Sequence, residues 1–158
     1  MSLVNLTELN TSPLFKGLAA KEIEYLSSIF TANKLPEGKT VFIENMPGES
    51  LYLIKQGVIK ISQMLAEIDE VDLHTLNAGD VFGEMAIIDG GNRLVRARVA
   101  ENAVLYSLHR NAYNTLVSEQ PRLALQLTLN VVRIFSSRIR SAKKDYRTML
   151  TASLARKS

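Results

Sequence analysis

Gly79-Asp80-Val81-Phe82-Gly83-Glu84-Met85-Ala86-Ile87-Ile88-Asp89-Gly90-Gly91-Asn92-Arg93 is the stretch on which the reading of this chain turns. Phe82-Gly83-Glu84 opens a short apolar turn of helix, a glycine-bearing loop ends it, and Arg93 enters a β-rich run. Backbone N–H groups at the start of such a turn make a ready anion site. Arginine presents a planar fork that matches phosphate oxygens, and a carboxylate accepts hydrogen bonds from a sugar hydroxyl. Together these groups have the chemistry to hold a phosphorylated ribose. Taken singly, a Gly-Glu pair or one arginine is an ordinary solvated feature, because charged side chains are mostly exposed.

Outward from this stretch, residues 33–108 carry short β-rich runs between glycine turns: Thr40–Ile43, Leu51–Ile54, Val58–Ile61, Val71–Leu76, Val95–Val99 and Val104–Leu108. Glycines stand at 38, 48, 57, 79, 83, 90 and 91. Many short strands at near-regular spacing predict a sandwich or jelly-roll barrel. Alternation decides which arginine faces inward. With Val95, Ala97 and Val99 on the buried face, Arg93 is preferred to the other phase, Arg96-Ala97-Arg98.

The flanks read as helix. Leu3, Leu6 and Leu9 are spaced for a short amphipathic turn or two that Ser12-Pro13 breaks, and Ile23, Leu26, Ile29 and Phe30 share a face of a helix from Ala19. After Arg110 the period is helical to about Leu150, with Pro121 suited to a first turn. The last helix carries two apolar stripes. Leu123, Leu127, Val131 and Ile134 are expected to pack on the β-rich body. Leu125, Val132, Phe135, Ile139, Ala142, Tyr146 and Met149 step by 3 and 4 from Val132 onward, the spacing of a two-helix seam. Arg133, Arg138, Arg140, Lys143, Lys144 and Arg147 border that seam, mostly on outer faces. A homodimer through helix 121–150 is therefore expected.

Residues 1–120 carry 10 Lys and Arg against 15 Asp and Glu, whereas residues 121–158 carry 9 against 1. A basic tail can meet nucleic acid or an acidic membrane, but these cations are scattered and read as a solvated helix face. The composition, 46% hydrophobic and 22% charged, is that of a globular chain with a sufficient core. No cysteine is present, which excludes disulfides, thiolate metal sites and cysteine nucleophiles. His74 and His109 lack a metal-partner spacing, and neither a nucleophile elbow nor a P-loop occurs. No catalytic set and no metal are expected. No apolar run reaches a membrane span, and the N-terminus lacks signal-peptide features, so a cytoplasmic location is expected.

The chain resembles the cyclic-nucleotide-binding domain family of catabolite-activator-type regulators, kinase regulatory subunits and gated channels. The resemblance runs from Pro13-Leu14-Phe15-Lys16-Gly17-Leu18 through the long helix. It is carried by Pro36-Glu37-Gly38, Gly48, Tyr52-x-Ile54-x-x-Gly57, Gly79-Asp80 and Phe82-Gly83-Glu84. It implies a mainly β fold with flanking helices: an eight-stranded β-roll, N-terminal helices and a long C-terminal helix. It also implies that Glu84 takes the ribose 2′-hydroxyl and Arg93 the cyclic phosphate, with Gly83 and the N–H groups of Ala86 and its neighbours completing the cradle. The ligand-binding set is then Phe82, Gly83, Glu84, Met85, Ala86, Arg93, Leu94 and Val95. One position departs: the family's arginine is followed by a small residue and then alanine, whereas here Arg93 is followed by Leu94-Val95.

The expected organisation is a roll with its N-terminal helices over 1–120, a dimerising helix over 121–150 and a tail over 151–158. The expected function is that of a regulatory, non-enzymatic module. It binds cyclic AMP, or cyclic GMP, and transmits this through the helix. Two alternatives stand beside it: a scaffold of the same fold that binds no cyclic nucleotide, and the sensor part of a transcription regulator without its DNA-binding domain. Nucleic-acid binding by this chain alone is not expected.

Overall fold

The computed structural model describes residues 3–157; Met1, Ser2 and Ser158, at the outer ends of the expected roll and tail, lie outside them. Six strands form one antiparallel sheet: β1 (Thr31–Leu35), β2 (Thr40–Phe42), β3 (Ser50–Met64), β4 (Glu70–Leu76), β5 (Val81–Phe82) and β6 (Arg96–His109). Four helices accompany them: α1 (Ala20–Ser27), α2 (Met85–Asp89), α3 (Arg110–Glu119) and α4 (Pro121–Ala155). Leu6–Leu9 and Pro13–Phe15 form single 3-10 turns; Leu6 is buried, while Leu3 projects into solvent. The architecture is the expected β-roll with flanking helices and a long C-terminal helix. No helix among the described residues is long and apolar enough to cross a membrane.

Two long strands are the frame. β3 merges the runs 51–54 and 58–61, and β6 merges 95–99 and 104–108, pairing along most of their length from Ser50↔His109 to Ser62↔Arg96. Sequence reading separates these runs because Gly57 looks like a turn residue. In the structure Gly57 sits at φ +93° between the register shifts at Gln56 and Val58, so it bulges the strand instead of ending it. The six runs read from the sequence thus become four strands, and with β1 and β5 the described residues form six, where the resemblance implied eight.

Two apolar clusters fill the interior. Ile54, Ile59, Phe82, Ala97, Val99 and Leu105 lie inside the roll. Leu14, Phe15, Leu26, Leu51, Leu53 and Leu108 meet the helices outside it. The stripe Leu123, Leu127, Val131 and Ile134 is buried in this second cluster, as its spacing implied, so the first half of α4 shares its core with the roll. From Ile139 onward every described residue of α4 is exposed.

A methyl group on Gly57 would lie 2.5 Å from the Asn102 carbonyl oxygen and 2.7 Å from Ala103 Cα, both backbone atoms of the facing strand. Gly57→Ala is expected to destabilise the chain by at least about 1–3 kcal/mol from the backbone conformation alone. A lowered denaturation midpoint at an unchanged slope measures this.

Candidate functional site

Arg93 is built into place by its backbone. Its N–H donates to Met46 O (2.8 Å) and its carbonyl accepts from Asn45 N–H (2.8 Å), while Asn92 bridges Pro47. These contacts turn the side chain into the roll, where the residue is 7% exposed. Nη1 donates to Gly83 O (3.0 Å) and Nη2 to Ser50 O (2.8 Å). The guanidinium carbon lies 4.0 Å from the centroid of the Phe42 ring and 5.8 Å from that of Tyr52. Such faces attract cations, and the rings of Phe42, Tyr52 and Phe82 pack on one another at 5.1–6.1 Å. Nε is buried with no hydrogen-bond partner among the described residues. Burial holds the Arg93 guanidinium below its ordinary value and Arg110 adds to this, while Tyr52 and Glu84 oppose it.

The chain reaches Glu84 by a constrained route. β5 pairs with β3 through Tyr52↔Phe82 and Leu53↔Val81, and Gly83 then turns the backbone at φ +68°. A Cβ at Gly83 would lie 2.6 Å from Arg93 Nη1, so this position needs both the conformation and the missing side chain. Glu84 stands at the N-cap position of the short helix α2 without a side-chain cap bond and is 5% exposed. Its Oε1 accepts from Arg138 Nη1 at 2.8 Å, and Arg138 Nη2 donates to the Val81 carbonyl. A buried carboxylate requires such a partner.

A cavity of about 440 Å³ opens between these groups, within the usual range for a small-molecule site. All eight residues picked from the sequence line it: Phe82, Gly83, Glu84, Met85 and Ala86 from β5, the turn after it and α2, and Arg93, Leu94 and Val95 from the approach to β6. Their side chains differ in burial. Phe82 and Ala86 are buried, and Gly83, Met85 and Val95 are half-buried. Leu94 stands 65% exposed at the rim, so it does not fill the cavity. Among the described residues no cluster of metal-ligating side chains occurs.

Other lining residues were not legible as site residues. Arg138, expected on an outer face of α4, turns inward to Glu84. Its signal was present: Leu127, Val131, Ile134 and Arg138 continue the buried stripe at spacings of 4, 3 and 4. Phe135, assigned to the seam, instead borders the cavity, as do Phe42 and, from β4, Leu73 and His74.

The profile of the family described as "Cyclic nucleotide-binding domain" matches residues 32–120, more than half of the chain. The chain belongs to the cyclic nucleotide-binding domain family. Among curated relatives, the "Cyclic AMP receptor protein" of Thermus thermophilus is 33% identical over 131 residues, covering 83% of this chain and 59% of the relative. A "CRP-like cAMP-activated global transcriptional regulator" of Mycobacterium tuberculosis is 29% identical over 132 residues, covering 84% and 57%. The chain thus spans less than two thirds of the length of these relatives. The crystal structure of the Thermus thermophilus catabolite activator protein superposes with a TM-score of 0.77 at 30% identity, over 87% of this chain and 63% of that one. The regulatory domain of Toxoplasma gondii PKA, crystallised with cAMP, gives 0.62 at 25% identity, over 68% and 41%. The matched region contains Glu84, Arg93 and the cavity wall except Phe135 and Arg138 of α4.

Two substitutions separate rim from wall. Leu94→Ala is expected to change stability by no more than about 0.5 kcal/mol, as for other exposed sites. Arg138→Ala leaves Glu84 buried without its partner and is expected to cost about 1–3 kcal/mol, less than for a fully buried pair because water reaches the guanidinium. Denaturant titration of both variants checks this.

Proposed function

We propose that this chain is a regulatory module that binds a cyclic mononucleotide, cyclic AMP foremost, and passes the binding event to α4. The observation that carries this reading is the convergence of two buried charged side chains, Arg93 and Glu84, on one cavity, with Arg93 Nε left without a partner. A buried unpaired donor costs about 1–3 kcal/mol. The cyclic phosphate supplies oxygens to the Arg93 fork, and the ribose hydroxyl donates to Glu84. The cAMP named for the relatives points the same way. A Leu94 that plugged the site would favour the scaffold alternative, and Leu94 stands at the rim.

Arg138 supplies the route outward. It belongs to α4 yet is bonded to Glu84 and to the β5 backbone, so a hydroxyl arriving at Glu84 competes with a side chain of the helix. A ligand shifts an equilibrium only through different affinity for two states, and this competition provides such a difference. α4 also presents an uncovered stripe: Leu125, Val132, Ile139, Tyr146 and Met149 are each 50–60% exposed. A second copy of the helix covers this stripe in a homodimer. The module works in the cytoplasm, catalyses no reaction, holds no metal, and makes no nucleic-acid contact by itself.

Thermal melting tests the binding. A saturating excess of cyclic AMP is expected to raise the melting temperature of the wild-type chain by mass action. Arg93→Ala is expected to weaken binding by about 10–100-fold through loss of charge-assisted bonds. Equal shifts in both proteins remove Arg93 from the site, and no shift in the wild type overturns the reading.

For the helix, Ile139→Glu with Tyr146→Glu avoids the cavity residue Phe135. The pair is expected to turn a dimer into a monomer, because facing carboxylates cannot be desolvated together. Light scattering on wild type and variant decides this, and a monomeric wild type at micromolar concentration defeats it.

A further inference from the structure

At the entry to β3, the carbonyls of three consecutive residues all accept hydrogen bonds from arginines. Arg110 Nη2 donates to the Gly48 carbonyl, the Arg110 backbone N–H to Glu49 O (2.7 Å), and Arg93 Nη2 to Ser50 O (2.8 Å). The Arg110 guanidinium also reaches α2. Its Nε donates to Ala86 O (3.1 Å), and a Cβ on Gly90, the residue that ends α2, would lie 3.1 Å from its Nη1. One half-buried side chain at the start of α3 thus joins the 48–50 run to the helix that carries Ala86. Gly48 is packed between that helix and the other arginine: a Cβ there would lie 2.6 Å from Ala86 Cβ and 3.0 Å from Arg93 Nε. Arg93 and Ala86 line the cavity, whereas Arg110 and Gly48 stand behind its wall.

We propose that Arg110 is a positioning residue for anion binding, which sets the spacing between the Arg93 fork and the Ala86 wall of the cavity. The assignment rests on the cyclic-nucleotide reading above. α2 has only five residues. Helices shorter than about 12–15 residues are marginal on their own, so the place of α2 is fixed by what touches it. Arginine suits the task because its planar fork holds two acceptors in a set geometry, which a lysine ammonium does not. Charge also makes those bonds stronger than neutral ones. Without this fork, Ala86 O and Gly48 O lose the donor they share, and the backbone packed against Arg93 loses its tie to α2. Burial holds the Arg93 guanidinium below its ordinary value, and the charge of Arg110 adds to this. An anion bound at Arg93 offsets that repulsion, so the two arginines act in concert when the cavity is filled.

Isothermal titration of cyclic AMP into the full chain tests this through a double-mutant cycle. Arg110→Ala is expected to weaken binding about tenfold. In the Arg93→Ala background the same change is expected to cost less than about twofold more, because residues that act through one another are not additive. Arg110→Lys keeps the charge without the fork and is expected to lose about as much as Arg110→Ala; it takes the place of the alanine variant if that variant does not fold. Gly57→Ala, at a bulge that does not line the cavity, is expected to lower stability and bind cyclic AMP like wild type, which separates positioning from a weaker fold. A full tenfold loss on top of Arg93→Ala overturns the proposal. So does Arg110→Lys binding like wild type, or a loss in Gly57→Ala equal to that in Arg110→Ala. If the wild type binds no cyclic AMP, the cyclic-nucleotide reading falls and takes the assignment of Arg110 with it. If the wild type binds, Arg93→Ala weakens binding and the Arg110 variants bind like wild type, only the assignment of Arg110 falls.

Discussion

A guanidinium held out of water constrains everything around it. Arg93 is buried, and burial disfavours its charge. The charge is supported by two backbone carbonyls, Gly83 O and Ser50 O, and by the Phe42 ring. Each support dictates a piece of structure. The Gly83 carbonyl comes within reach only because that residue turns at positive φ without a side chain. The Ser50 carbonyl belongs to the start of β3, the strand that frames the roll. Phe42 is held by its packing against Tyr52 and Phe82. Nε stays buried with no partner among the described residues.

The second charge is solved differently. Glu84 is as buried as Arg93, but its partner comes from 54 residues away on α4. Both charges are therefore held by residues distant in sequence, Arg93 by the roll and Glu84 by α4. The helix that supplies Arg138 is itself anchored by Leu123, Leu127, Val131 and Ile134 in the core it shares with the roll. One helix thus has three faces with separate duties: a buried stripe, an inward arginine and an uncovered apolar seam. Arg138 and the uncovered stripe consequently belong to one helix, and on that arrangement the proposed transmission rests.

Much of this was legible in the chain. The alternation of Val95, Ala97 and Val99 put Arg93 in its phase, and all three are in or against the roll interior. The 3- and 4-residue steps of Leu123 to Ile134 marked the face of α4 that is buried. Phe82-Gly83-Glu84 and the residues around Arg93 were recognisable as one cassette, and all eight selected positions border one cavity. These features depend on near neighbours along the chain, where side-chain period and glycine placement act directly.

What tertiary structure alone decided concerns features whose outcome depends on a facing element. Gly57 is a bulge, not a turn, because β6 continues to pair on both sides of it. Leu94, a bulky residue beside the arginine, is exposed because nothing in the fold covers the rim. Leu73 and His74 share the cavity wall because β3 and β4 slip by one residue between Ile61 and Ser62. Arg138 reads as one more solvated cation until Glu84 and the Val81 carbonyl are seen opposite it. Local spacing determined which way most side chains face; whether a charge or an apolar group is buried there was set by what the fold brought against it, since burial and pairing are properties of two surfaces and not of one.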